Sequence, residues 1–212
     1  MTEPKKGNAQ VFTGSQPTVA ERPPQATGQR LAGKKVAAIV ADGFEQTELD
    51  VPMQRLRDAG ATVEVLAPDD RHLAHIEGES HGKPAAGVKA DKLLKDANPD
   101  DYDALLIPGG LKSPDTMRQS SAHLAFVRAF VNADKPIGAI CHGPWLLADT
   151  DVLSGKTVTS WPGIRRDLER AGAVWVDRPV VRDEKMVFSR KPADAEQFGD
   201  ALIELVAAST RA

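Results

Sequence analysis

The feature that most constrains this chain is a repeated couplet: a short unbroken apolar run, a turn rich in glycine or proline, then a segment with helical spacing of its apolar residues. Lys35–Ala41 (KVAAIVA) is apolar at every position after the first, as a strand buried on both faces must be. Gln46–Ala59 follows with Leu49, Met53 and Leu56 on one helical face, and Gly60 supplies a stop. Thr62–Leu66 repeats the strand pattern. Residues 69–90 are polar and interrupted by glycine, which predicts a long loop or a small hairpin. Asp103–Ile107 runs into Pro108-Gly109-Gly110, and His123–Val131 sets Leu124, Val127 and Phe130 on one face. Lys135–Ile140 is a further buried strand, followed by Cys141-His142-Gly143-Pro144 and a short helix through Trp145, Leu146 and Leu147. Strands over Thr157–Ser160 and Ala173–Val176 flank a helix over Arg165–Ala171. The pair Val180–Arg182 and Met186–Ser189 turns at Asp183-Glu184, and a helix near Ala193–Ala208 closes the chain. Strands alternating with amphipathic helices require a mostly parallel sheet covered on both faces. In such sheets ligands gather at the carboxyl ends of the strands.

The alternation begins only at Lys34. Residues 1–33 are rich in Gln, Thr, Pro, Gly and Ala and hold a single large apolar pair, Val11-Phe12, so they read as a flexible tail ahead of one domain over 34–212. A chain of 212 residues is about one domain's worth. The 27 basic residues nearly balance 30 acidic ones, which gives no field to draw nucleic acid or an anionic membrane. The longest apolar run, Val36–Ala41, is far short of a membrane span. One cysteine excludes an internal disulfide, and the expectation is a cytoplasmic protein.

Three strand ends carry unusual residues: Asp42-Gly43-Phe44-Glu45, Pro108-Gly109-Gly110 and Cys141-His142-Gly143. If the three strands are neighbours, these loops meet at one edge of the sheet. Ala139-Ile140-Cys141-His142-Gly143-Pro144 has the form of a nucleophile elbow, in which small residues two before and two after let a strained turn close. A thiol there faces unpaired N–H groups that favour thiolate, although a lone cysteine also packs as a small hydrophobe. His142 either offers its backbone N–H to an oxyanion or brings its imidazole to the sulfur as a base. No histidine follows His142 among positions 72, 75, 81, 123 and 142, so a triad with a later histidine cannot be built. Glu45 is a candidate acid bonded to the thiol, whereas Glu48 reads as a first-turn residue complementing the helix dipole. Gly109 and Gly110 suit a place where backbone N–H groups approach an oxyanion closely. His72 and His75 could share a helical face, but with no further ligands beside them no metal site is expected. Ser189-Arg190-Lys191-Pro192 reads as a strand end, with an anion contact as the rival.

At these residues the sequence resembles the DJ-1/PfpI family, in particular its PfpI branch. The matching strings are ADGFEQTEL (41–49), DYDALLIPGG (101–110), KPIGAICHGPWLL (135–147), GKTVTSWPGI (155–164), AGAVWVD (171–177) and SRKPAD (189–194), spanning about 34–208. The resemblance implies a flavodoxin-like three-layer α/β sandwich of the class I glutamine amidotransferase type. It maps the reactive cysteine to Cys141, its histidine to His142, the thiol-bonded acid to Glu45 and the oxyanion donors to N–H groups near Gly110 and His142. It implies a dimer or larger homo-oligomer in which a carboxylate just after the PGG turn, here Asp115, reaches a neighbouring site. Leu111-Lys112-Ser113-Pro114 is one residue longer than the usual spacing to that acid. Trp161 stands where the branch often has tyrosine, and with Gly109 it is assigned to the pocket. An indole N–H donates a bond but relays no proton as a phenol does.

The resemblance leaves three activities open. The first is a stress-response hydrolase without metal or organic cofactor, acting through Cys141 on glyoxals, small carbonyl compounds or glycated protein. The second is an intracellular cysteine peptidase with His142 as base. The third is a redox-sensing or chaperone protein whose thiol is oxidised.

Overall fold

The computed structural model describes residues 29–209. In chain order the strands are β1 (Lys35–Ile39), β2 (Phe44–Glu45), β3 (Thr62–Ala67), β4 (Gly78–Ser80), β5 (Lys83–Pro84), β6 (Lys92–Leu93), β7 (Ala104–Ile107), β8 (Ile137–Ile140), β9 (Thr157–Val158), β10 (Val174–Trp175), β11 (Val180–Asp183) and β12 (Met186–Ser189). The α-helices are α1 (Gln46–Asp58), α2 (Lys112–Arg118), α3 (Ser121–Asn132), α4 (Pro144–Ala148), α5 (Arg165–Arg170) and α6 (Ala195–Ala208).

Seven strands form the central sheet in the order β11-β12-β8-β7-β1-β3-β6. All neighbours are parallel except β11, which turns back antiparallel on β12 at the edge. Because side chains alternate across a strand, β1 sends Val36 and Ala38 to one face and Ala37 and Ile39 to the other. The first face is covered by Leu49, Met53 and Leu56 of α1 and by Phe198, Leu202 and Val206 of α6. The second is covered by Met117 of α2, Phe126, Val127 and Phe130 of α3, Leu146 and Leu147 of α4 and Leu168 of α5. This is the expected three-layer, flavodoxin-like arrangement with a mostly parallel sheet.

Several elements depart from the sequence reading. Helix α2 has no counterpart in the sequence pattern; Pro114 sits in its first turn, where its missing N–H is not needed. The predicted strands at 157–160 and 173–176 pair only with each other, as β9 and β10, outside the central sheet. The polar stretch 69–90 does contain a hairpin, β4–β5, which pairs through β4 with β2 beside the first strand end. In α3 it is Phe126, with Val127 and Phe130, that is buried, while Leu124 is half-buried.

The assigned boundary at 33/34 also moves. Leu31 is fully buried in the core against α1 and β3, and its N–H donates to Ala59 O at 2.8 Å. The packed domain therefore includes residues placed in the tail; the rest of that assignment, residues 1–28, lies outside the described residues.

Candidate active site

Strands β1, β7 and β8 are adjacent in the sheet, so the three unusual strand ends meet at its carboxyl edge, where the chain order reverses between β1 and β7. Glu45 N–H donates to Gly109 O at 3.1 Å across two of these loops. The loops approach closely because glycine allows it. A Cβ on Gly109 would lie 2.5 Å from both Cys141 Cβ and Glu48 Oε2. Gly110 has φ +82°, and a Cβ there would lie 2.4 Å from Gly43 O.

Cys141 leaves β8 with φ 62°, a left-handed backbone uncommon for a residue with a side chain. Such a conformation costs about 1–3 kcal/mol and persists where its surroundings fix it. Here Cys141 N–H donates to Ser189 O and its carbonyl accepts from Trp161 N–H, both at 3.0 Å. A Cβ on Gly143 would come 2.5 Å from Ile107 O and 2.9 Å from Ile140 O, so the position after His142 must be bare for the turn to close. Cys141 is only 6% exposed.

The acid at the thiol is Glu48, which corrects the assignment to Glu45. Glu48 is fully buried, hydrogen-bonded to Cys141, and accepts from Gly109 N–H at 3.0 Å through Oε2. Burial pushes its carboxyl from 4.5 up to about 8, against the lowering effect of the Cys141 bond, and the nearby charge of Glu45 adds to the rise. Glu48 is thus protonated at pH 7. Among the described residues its Oε1 has no partner. Glu45 turns the other way: it lies in β2 beside β4, and its Oε2 accepts from His81 N–H at 2.9 Å at the hairpin tip. The physical reason is local. Glu45 is extended, whereas Glu48 stands in the first turn of α1, and helical side chains lean back towards the N-terminus, here onto the PGG turn.

Around the sulfur, burial pushes the Cys141 thiol up and an ionised Glu48 would do the same; the N–H groups of Gly110 and His142 pull it down. The net direction is upward, so the expected resting thiolate is not what the folded chain favours. The N–H groups of Gly110 and His142 both face the sulfur. His142 supplies its imidazole as well: Nδ1 lies 3.2 Å from Sγ. Burial lowers His142 to about 4, which leaves the ring neutral at pH 7. Two tryptophans position it, Trp145 at 5.0 Å between ring centroids and Trp161 stacked at 6.1 Å with 25° between the planes. Trp161 and Gly109 are therefore at the site.

Asp115 is not brought to the sulfur within the chain. It is exposed on α2, and its carboxylate accepts from Gln119 Nε2 at 3.2 Å. His72 is held between two carboxylates, Nε2 to Asp42 at 3.0 Å and Nδ1 to Asp69 at 2.8 Å. Arg190, beyond β12, is bound to Asp177 and Asp194. The group sequence reasoning missed is Glu48, whose one signal was its place facing the PGG turn from the first turn of α1. Trp145 was missed as well, because it reads as ordinary helix packing.

The profile of the DJ-1/PfpI family matches residues 34–205. "Uncharacterized protein SERP1413" of Staphylococcus epidermidis is 43% identical over 173 residues, covering 81% of this chain and 96% of that protein. "Putative cysteine protease YraA" of Bacillus subtilis is 42% identical over 173 residues, covering 82% and 98%. Among solved structures, Drosophila melanogaster DJ-1beta superposes with a TM-score of 0.75 at 29% identity, over 83% of this chain and 91% of that one. Among the described residues no helix is long and apolar enough to cross a membrane.

Proposed function

The chain belongs to the DJ-1/PfpI family, and we propose that it is a stress-response cysteine hydrolase whose Cys141 attacks glyoxals and the adducts they leave on proteins. One observation carries this assignment: a single buried Sγ meets two backbone N–H donors, a protonated carboxyl and a neutral imidazole nitrogen at 3.2 Å. Those are the groups that addition to a carbonyl calls for.

With methylglyoxal the sulfur bonds to the aldehyde carbon while the thiol proton passes to His142 Nδ1. The carbonyl oxygen gains negative charge beside the Gly110 and His142 N–H groups and takes the proton of Glu48. The hydrogen on that carbon then moves as a proton, by way of an enediol, to the neighbouring ketone carbon. One carbon is oxidised as the other is reduced, so no external oxidant is used, and a thioester results. Water cleaves the thioester, releases lactate and restores the thiol. On a protein adduct, the sulfur first displaces the lysine amine from its carbinol carbon, which frees the repaired residue. Every step balances without a cofactor.

Hydroxyacid formation tests this. Wild type should convert methylglyoxal to lactate, and folded Cys141→Ala should not; absence of product from reduced wild-type protein overturns the assignment.

A second activity, peptide hydrolysis, draws on the same Sγ–Nδ1 contact and on the name borne by the Bacillus relative. It needs His142 oriented by an acid, and the candidate is Asp115 of a second subunit in a cytoplasmic homo-oligomer. Cleavage of fluorogenic peptides that is lost in Asp115→Asn without loss of lactate formation would assign that activity separately.

A further inference from the structure

Of the four large apolar side chains left open to solvent among the described residues, Trp161 packs on the histidine that touches the nucleophile and Leu111 is next in sequence to Gly110. Leu111 is 56% exposed and follows Gly110, whose N–H faces the sulfur. Trp161 is 42% exposed, its N–H is fastened to the Cys141 carbonyl, and its ring stacks on His142, which touches Sγ. Small-molecule sites combine an apolar lining with a few placed polar groups. Here the placed groups are the two N–H donors, His142 and Glu48, and the exposed indole of Trp161 supplies the lining.

The charge pattern narrows what fits. At pH 7 both side chains on the sulfur are neutral, Glu48 protonated and His142 uncharged, each through burial. The two cations of α2 are already committed: Lys112 pairs with Glu79, and Arg118 binds Asp149 at 2.7 and 2.9 Å while lying over the face of Trp145. A substrate carboxylate would give up its hydration here without gaining either of these cations free. A flat apolar substituent instead covers exposed indole.

We propose that Trp161 forms an apolar mouth to Cys141, selecting 2-oxoaldehydes that carry an aryl or bulky alkyl substituent over unsubstituted or charged ones. This rests on Cys141 being a nucleophile towards carbonyl compounds and adds the substrate class. Trp161 acts here as a specificity residue.

The test separates recognition from turnover. Phenacyl bromide and bromoacetone are α-halo ketones that differ in an aryl against a methyl group. Each alkylates Cys141 as the S–C bond forms, bromide leaves and the thiol proton passes to water. The ratio of their second-order rates, divided by the same ratio for N-acetylcysteine, reads the preference of the site. It should be about 10-fold in wild type. Trp161→Ala should bring it close to the free-thiol value, and Trp161→Phe should keep most of it. A wild-type ratio equal to that of the free thiol, or one that survives Trp161→Ala, overturns the proposal. So does a change in oligomer mass on Trp161→Ala with the ratio unchanged, since the patch is then a contact with a second copy. If the ratio behaves as expected while neither methylglyoxal nor phenylglyoxal yields hydroxyacid, the hydrolase assignment falls and the mouth stands.

Discussion

Glu48 gives the protein a pH dependence of its own. Its folded-state pKa of about 8 exceeds the ordinary 4.5 because burial disfavours the charged form. Between those values the native protein keeps a proton that the unfolded chain has released. The stabilisation linked to that proton is complete below pH 4.5 and is lost as pH rises through 8, with a slope of at most ~1.4 kcal/mol per pH unit. Urea unfolding at pH 5, 7 and 9 should show this decline, and Glu48→Gln, which stays neutral, should flatten it while slowing lactate formation. An equal decline in Glu48→Gln would remove the carboxyl as its source. His123 acts at the opposite limb. Its ring is buried with neither nitrogen partnered among the described residues, and burial lowers it to about 4. Folding therefore keeps it neutral, and stability is lost as pH falls from the ordinary 6.5 towards 4. Replacing an unsatisfied buried polar ring by an apolar one, His123→Leu, should stabilise by about 1 kcal/mol at pH 7, and by more at pH 5. The elbow was legible residue by residue because a small-x-Cys-x-Gly string has few other uses. The acid was not, because two glutamates three apart differ only in which of them has entered the helix.

Among the elements, the segment before the β4–β5 hairpin is fastened to the end of β1 by His72. Neutral imidazole has one N–H, yet both ring nitrogens face carboxylates, Asp42 and Asp69, with Arg71 also on Asp69. Burial pulls the ring down, but the bonds from Asp69 and Asp42 outweigh it and raise its pKa. The fastening is complete below the ordinary 6.5 and is lost as pH rises through the raised value. His72→Gln should accordingly lower the melting temperature more at pH 6 than at pH 9; a uniform loss would point to packing alone. The PGG turn is less forgiving. In Gly109→Ala the new methyl would lie on Cys141 Cβ and the Glu48 carboxyl, and misplacing reacting groups by an ångström costs about 100-fold in rate. Lactate formation should fall at least that far while the far-ultraviolet circular dichroism is retained. Strands β1, β3, β7 and β8 and helix α1 were readable from periodicity because each is buried in the regular way its period demands. The hairpin was readable only as the alternative to a long loop, and α2 was not readable, since proline and charge mask a short helix that is held by its neighbours rather than by its own pattern.

At the scale of the molecule, α1 and α6 close one face of the sheet together, pinned by the Arg55–Asp200 ion pair, and the segment at Leu31 completes that core. Leu31→Ala should cost about 2–4 kcal/mol, as deletion of a fully buried leucine does, and urea unfolding reads it directly; a loss below 1 kcal/mol would return the segment to the tail. The boundary was missed because a lone leucine among Gly, Gln and Arg carries no period. The layered architecture was foreseen from the alternation of strands and helices, but which strands lie side by side was fixed only by the fold. That adjacency governs how the protein is made. Cys141 owes its strained posture in part to Ser189 O, on a strand that pairs with β8 only after the intervening stretch has been synthesised. A ribosome that has just released residue 141 presents an ordinary thiol on a half-built sheet. The strained turn at Cys141 gains this support only once Ser189 has been made, so chains cut short before it carry the cysteine without that geometry.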